Sequence, residues 1–246
     1  MLREKDRDQV EVYDVSTFRL LRRLTVPNIR DFTDMTSCEH HRCVYICDHI
    51  IECIHTLDSQ GSAKQWPVKD KPYGLSVNRA HNLLVTCRYV RKIKEFSTHG
   101  HLLREVTLPD NVLNPWQSIQ LTSGQFVVCH GDPADPVHGV CMVTPDGRQI
   151  VHSHGRQHGS RTDQYNVPGR LTVDRNQFVF VADVINRRVT LLSPTLGYVR
   201  QLISRDLLNG SPVRLYSDPE RHRLYVADNK RKGHKWKTGR VAVFTV

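Results

Sequence analysis

Residues 164–194 read QYNVPGRLTVDRNQFVFVADVINRRVTLLSP, and this stretch decides the fold. Pro168 leads a turn into a strand over 169–173. An Asp/Asn turn follows, then a β-rich strand over 178–182 that ends on the small residue Ala182. Asp183 opens the next turn, 189–192 is a third strand and 198–203 a fourth. Weaker copies recur along the chain. They align on Ile46-Cys47-Asp48, Thr86-Cys87-Arg88, Val128-Cys129-His130, Val181-Ala182-Asp183 and Val226-Ala227-Asp228. The period is about forty residues, lengthened once by an insertion between Cys129 and Tyr165. Pro72, Pro115, Pro168 and Pro212 precede first strands in the same register, and the first unit opens near Pro27. Four short antiparallel strands at this period make a β-propeller blade. One such sheet cannot bury both of its faces alone, and radial stacking supplies the missing partner.

Gln164, Asn166, Pro168, Val173-Asp174, Val181-Ala182-Asp183, Asn186 and Arg188 stand at the positions that define an NHL repeat, which this stretch resembles. Tyr165 replaces the usual Phe, and Arg187 stands where the name-giving His would be. The other units keep the strand periodicity, the proline turn and parts of the small-Asp element. The resemblance implies an all-β propeller of the kind found at the C-terminus of tripartite-motif proteins. It implies a non-enzymatic scaffold that binds a protein partner and presents substrates to a ubiquitin ligase, or alternatively a surface that binds single-stranded RNA. RING, B-box and coiled-coil segments are missing from these residues, so the chain by itself is not expected to ligate ubiquitin.

Residues 1–9 read as a charged tail and 10–246 as a single propeller domain, with a partial blade at 10–26 and repeats at 27–70, 71–111, 112–155, 164–210 and 211–246. Val10–Val15 and Leu20–Val26 look like the third and fourth strands of a blade whose first two are absent. Two arrangements follow. Either a six-bladed ring has an incomplete first blade, or five blades close by strand exchange, with Leu20–Val26 completing the last unit and hiding two exposed edges. The stretch HGRQHGSRTDQ, residues 154–164, reads as a flexible connection.

No apolar run is long enough to span a bilayer, and the charged N-terminus is not a signal peptide, so an intracellular, cytoplasmic protein is expected, with no membrane partner. Cys47, Cys87 and Cys129 share the small-residue register of Ala182 and Ala227 and read as blade packing. Cys38, His40, His41 and Cys43 have ligand types without a metal-finger spacing, and free thiols and no metal are expected. P-loop, HExxH, GxSxG and Gly-rich dinucleotide motifs do not occur, so no catalytic residue and no cofactor are assigned. A metal-dependent propeller hydrolase or lyase is the remote alternative. The column Asp48, Asp183 and Asp228 reads instead as carboxylates that cap turn N–H groups.

The net charge of +10 favours an anionic partner such as an acidic protein surface or RNA, and DNA is not expected. Two groups are the binding candidates. The loop KRKGHKWKTGR places Lys230, Arg231, Lys232, Lys235, Lys237 and Arg240 around Trp236, suiting phosphate contact with base stacking, or forming only a solvated hairpin. Tyr73, Trp116, Arg170 and Arg214 follow the blade-opening prolines and should meet near one rim of the ring, either to bind a partner or to pack and pair between blades.

Overall fold

The computed structural model describes residues 8–232 and 235–246, the side chains of 231–238 excepted. The chain starts with a hairpin of β1 (Gln9–Tyr13) and β2 (Leu20–Thr25). Blade 1 is β3 (Phe32–Cys38), β4 (Cys43–Asp48), β5 (Cys53–Asp58) and β6 (Ala63–Pro67). Blade 2 is β7 (Pro72–Val77), β8 (Leu83–Cys87), β9 (Lys92–Phe96) and β10 (Leu102–Thr107). Blade 3 is β11 (Pro115–Gln120), β12 (Phe126–His130), β13 (Gly139–Val143) and β14 (Ile150–His154). Blade 4 is β15 (Pro168–Val173), β16 (Val179–Asp183), β17 (Arg188–Leu192) and β18 (Tyr198–Ile203). Blade 5 is β19 (Ser211–Asp218), β20 (Arg223–Lys232) and β21 (Lys235–Thr245). Each blade is an antiparallel meander. The first strands β3, β7, β11, β15 and β19 lie innermost.

The second strand of blades 2, 3 and 4, such as FVVCH or VFVAD, is buried on both faces, which is why it reads as an unbroken apolar run. Its residues alternate between two blade interfaces. Val179 and Val181 face blade 3 in one core with Val127, Cys129 and Met142. Phe180 faces blade 5 in another, with Leu224 and Val226. Fully burying one such side chain contributes about 1.5–3 kcal/mol, and every blade adds several.

The first strands share a local irregularity. Phe32, Pro72, Pro115, Pro168 and Pro212 pair with Asp48, Cys87, His130, Asp183 and Asp228 of the second strands, and the next residue is skipped before pairing resumes at Asp34, Gly74, Gln117, Arg170 and Arg214. A bulge at one register in all five blades turns one residue of each toward the channel. It also corrects the repeat alignment. Blade 1 opens at Phe32 and not near Pro27, and the small-residue place of blade 2 is held by Thr86. Cys87 therefore stands in the column of Asp48, His130, Asp183 and Asp228, which Arg88 was expected to occupy.

Of the two expected arrangements the five-bladed one is found, but without the strand exchange: among the described residues β2 pairs with β1, and blade 5 has three strands. The hairpin instead lies on blade 1, where Val26, Val10 and Leu24 cover Ile46 and Leu57. It has the build of a blade's outer half. Val26 N donates to Asp8 O, just as Val68 N donates to Glu52 O and Leu108 N to Arg91 O in blades 1 and 2.

The connection over 155–165, expected to be flexible, is pinned. Buried Arg188 donates to the carbonyls of Ser160, Arg161 and Gln164 at 2.6–2.9 Å while its Nε lies 2.8 Å from Asp183 Oδ2. Asp183 also accepts from Asn166 N and from Asn186 Nδ2, which in turn donates to Gly159 O. Asn166, Asp183, Asn186 and Arg188, the polar residues behind the NHL resemblance, form one hydrogen-bonded knot.

Candidate binding surface at the channel mouth

The bulged register places Asp34, Gly74, Gln117, Arg170 and Arg214 around the central channel, and their polar groups knit the first strands together. Asp34 Oδ2 accepts from Leu75 N at 2.8 Å, and its Oδ1 lies 2.8 Å from Arg214 Nε and 3.7 Å from Arg170 Nε. Both arginines also donate to Thr33 O. Gln117 donates to Leu75 O and accepts from Leu171 N. Gly74 is required because a Cβ there would collide with Trp116 O and Gln117 Cα on the adjacent strand. Loss of hydration, with Arg170 alongside, pushes the Arg214 guanidinium down to about 10, so it remains charged at neutral pH. Arg170 and Arg214 thus pair between blades across the channel, with Asp34 of a first strand as their shared partner.

Tyr73 and Trp116 occupy the skipped positions of two adjacent first strands and meet edge to face, with centroids 5.2 Å apart. Arg88, from the short 3-10 turn Arg88–Val90, lies over them, its Cζ 4.1 Å from the Trp116 ring and 5.3 Å from Tyr73. Its far side is held by Asp132 at 2.5 Å and by Asn114 Oδ1. Arg170 stands 6.0 Å from Tyr73. Three of the four rim candidates therefore come together, with Arg214 next to Arg170 on the shared Asp34. Sequence reasoning missed Arg88 and Asp34. The signal for Asp34 was its place two residues after Phe32, visible only once the bulge fixes the register.

The strand-end carboxylates cap turns. Asp48 accepts from the backbone N–H groups of Arg30, Asp31, Ile50 and Ile51, and Asp228 accepts from Asn209 N and Arg240 Nε. Among the described residues no three His, Cys, Asp or Glu side chains converge as metal ligands. Cys38 and Cys43 point into the core, whereas His40 and His41 are exposed beside His81. All seven cysteines are buried free thiols, and burial pushes Cys53 up to about 11 and Cys87, Cys129 and Cys141 up to about 12.

His130 fills the Asp column of blade 3 with no hydrogen-bond partner at Nδ1. Burial, then His138 beside it, lowers its pKa from 6.5 to about 4, against a smaller opposing effect of Asp135. The unfolded chain takes up this proton below 6.5 and the folded chain only near 4. Stability is therefore complete above pH 6.5 and falls as the pH drops toward 4, by up to about 1.4 kcal/mol per pH unit. Urea unfolding at pH 7 and pH 4.5 should show a loss on acidification that His130→Asn reduces by about 2 kcal/mol. An identical loss in both proteins would assign the acid sensitivity elsewhere.

Because strands alternate in direction, the turns between second and third strands and the connections between blades share one face of the ring, the face onto which the channel mouth opens. Large apolar side chains are exposed there: Ile50 (62%), Ile51, Tyr89 (60%), Val90, Ile185 and Leu207. On the opposite face the described turns of the five blades expose no large apolar side chain. The β20–β21 hairpin rises from the apolar face. β20 runs four residues past Asp228, roughly 13 Å at strand rise, and pairs Lys230 with Lys237, Arg231 with Trp236 and Lys232 with Lys235. Lys230 is exposed. The side chains of Arg231, Lys232, Lys235, Trp236 and Lys237 lie outside the described residues.

No family model matches the chain, and no curated protein matches it. Solved structures do. A protein of unknown function from Bacteroides caccae is 13% identical with a TM-score of 0.70, over 93% of this chain and 81% of that one. A streptogramin B lyase is 18% identical with a TM-score of 0.61, over 87% and 68%. A catalytically inactive virginiamycin B lyase from Staphylococcus aureus with quinupristin is 12% identical with a TM-score of 0.63, over 96% and 77%. No helix among the described residues is long and apolar enough to cross a membrane. At these identities the likeness carries the fold alone: the chain is a five-bladed β-propeller with an added two-stranded hairpin on its first blade.

Proposed function

We propose that this propeller is a non-enzymatic interaction platform that binds a protein partner on the face carrying the channel mouth. The observation that supports it is the asymmetry of apolar exposure. Ile50, Tyr89 and Ile185 project from turns of three different blades, and the corresponding turns on the other face are polar. Loops held by a rigid ring form a surface already in its binding shape. The basic β20–β21 hairpin beside them, with the net charge of +10, suits a partner that pairs acidic with apolar residues. The polar knot of blade 4 supports the NHL resemblance, and with it the finer reading of an intracellular substrate-recognition module in ubiquitin-ligase pathways. The carboxylates that a hydrolase or lyase would need at the channel are engaged with backbone N–H groups and arginines, which weighs against that chemistry here.

The test is photo-crosslinking in cell extract from a benzophenone side chain at position 89, compared with one at position 122 on the opposite face. Proteins captured at 89 and not at 122 are expected. Their purified binding should weaken at least about tenfold when Ile50, Tyr89 and Ile185 are changed to Asp, with no change in unfolding midpoint. Equal capture from both faces would remove the proposal. The basic hairpin favours one other reading, single-stranded RNA. Anisotropy with a randomised RNA across salt concentrations separates the two, because RNA binding needs a steep salt slope that charge reversal of Lys230, Arg231, Lys232 and Lys235 flattens.

A further inference from the structure

Every interface between successive blades uses the same places in the repeat. The face turned to the next blade carries one residue of the second strand and one of the third: Tyr45 and Ile54 in blade 1, Phe180 and Val189 in blade 4, all buried. In blade 5 these places fall to Tyr225 and Val241, with Val243 next along β21. Tyr225 is half-buried with its hydroxyl enclosed, but Val241 and Val243 are exposed. Val241 is 63% exposed, and Tyr216 on the adjacent first strand is 50% exposed. Across the gap, Met35 holds the place of Leu75 and Leu171, which pack against the preceding blade, but Met35 is 44% exposed. β3 and β19 lack the close backbone contact that joins each other pair of neighbouring first strands, and among the described side chains Arg214 bridges the seam to Asp34 and Thr33.

The outer boundary of this cleft is β1. By the Asp8–Val26 hydrogen bond it stands where third strands stand, and among the described residues its sheet contains only β2 and its other edge has no strand partner. In every complete blade that edge holds the second strand. The apolar faces that form the other interfaces therefore flank the cleft on both sides, and no described strand lies between them. An unpaired edge flanked by exposed apolar walls is a template for strand addition.

We propose that this cleft binds an extended β-strand presented by another polypeptide, paired antiparallel with the free edge of β1 and packed between Val241, Val243 and Met35. The second strands of blades 1 to 4 define its chemistry. CVYICD, LLVTC, FVVCH and VFVAD are apolar on both faces, rich in β-branched and aromatic residues, and free of charge until their last residue. The ligand is thus a run of about five uncharged, β-favouring residues, as expected of a strand buried on both sides. A second copy of this chain does not fit, since each of its described strands already sits in a sheet.

The probe is a fluorescein-labelled peptide of residues 176–184, NQFVFVADV, with lysines added at its N-terminus for solubility, titrated with the full chain. Saturable binding is expected. The double variant Val241→Lys and Val243→Lys should weaken it at least about tenfold, while Val151→Lys on an outer strand of blade 3 and Tyr89→Asp on the apolar face leave it unchanged. A peptide N-methylated at alternate residues should not bind, because it cannot complete a ladder. The proposal is overturned by absence of saturable binding, by equal binding of the N-methylated peptide, or by sedimentation showing that the chain alone forms a dimer that Val241→Lys dissociates. The last result would assign the cleft to a second copy.

Discussion

Asp34→Ala is expected to destabilise the propeller by about 3–5 kcal/mol, the cost of removing one partner from a buried ionic network. Asp34 is buried. Its carboxylate answers two guanidiniums, Arg170 and Arg214, and accepts Leu75 N from the adjacent first strand. Alanine leaves two positive charges in the channel with no counter-charge and leaves the Leu75 N–H unpaired. The seam between blades 1 and 5 loses its ion pair at the same time. Asp34→Asn keeps an oxygen for Leu75 and should recover part of the loss, whereas Arg170 and Arg214 remain unanswered. Urea unfolding followed by circular dichroism measures both variants. An alanine variant within about 0.5 kcal/mol of the parent would show that the channel arginines are satisfied without Asp34.

The second large effect is expected at Arg188. Its side chain, 9% exposed, makes the Asp183 ion pair and donates to three carbonyls of the 155–165 connection. Arg188→Ala leaves Asp183 buried without its cation and frees three backbone carbonyls, for a loss of about 3–5 kcal/mol. Arg188→Lys restores the charge but cannot reach three carbonyls from one ammonium, so it should fall between the two. Limited proteolysis gives a second readout. Cleavage near Arg156 or Arg161 should rise sharply in the alanine variant, because the connection is held by these bonds and by Tyr165 in the core. Unchanged cleavage would show that Tyr165 anchors the segment alone.

Together these variants separate two ways in which the ring is held. Asp34 acts between blades and Arg188 within one, so their effects should add when combined, as distant sites without shared partners do. Arg188 directly follows the turn that carries Ile185, whereas Ile50 and Tyr89 project from other blades. A binding loss from Ile50, Tyr89 and Ile185 substitutions with no stability change would be cleanly distinct from both.

Local sequence determined the strands and their number per unit. Period-two alternation, proline turns and Asp-led strand ends act over a few residues, so Val179–Asp183 and its copies were legible one by one, as was the outer-half character of Val10–Val26. The meeting of Tyr73, Trp116 and Arg170 also followed from recurrence alone, since equivalent places in a ring are neighbours. What the sequence could not determine depended on the bulge. A single skipped residue in each first strand shifts which side chain enters the channel, and it moved Cys87 into the Asp column and brought Asp34 to the arginines from more than a hundred residues away. The pinning of residues 155–165 was hidden for the same reason: its composition reads as loop, and only the folded position of Arg188 supplies the donors that hold it. Closure was likewise decided in three dimensions. Leu20–Thr25 has the pattern to pair with either β1 or β21, and the short turn to β1, with Val26 buried and Leu24 half-buried on blade 1, makes the local pairing the one that forms.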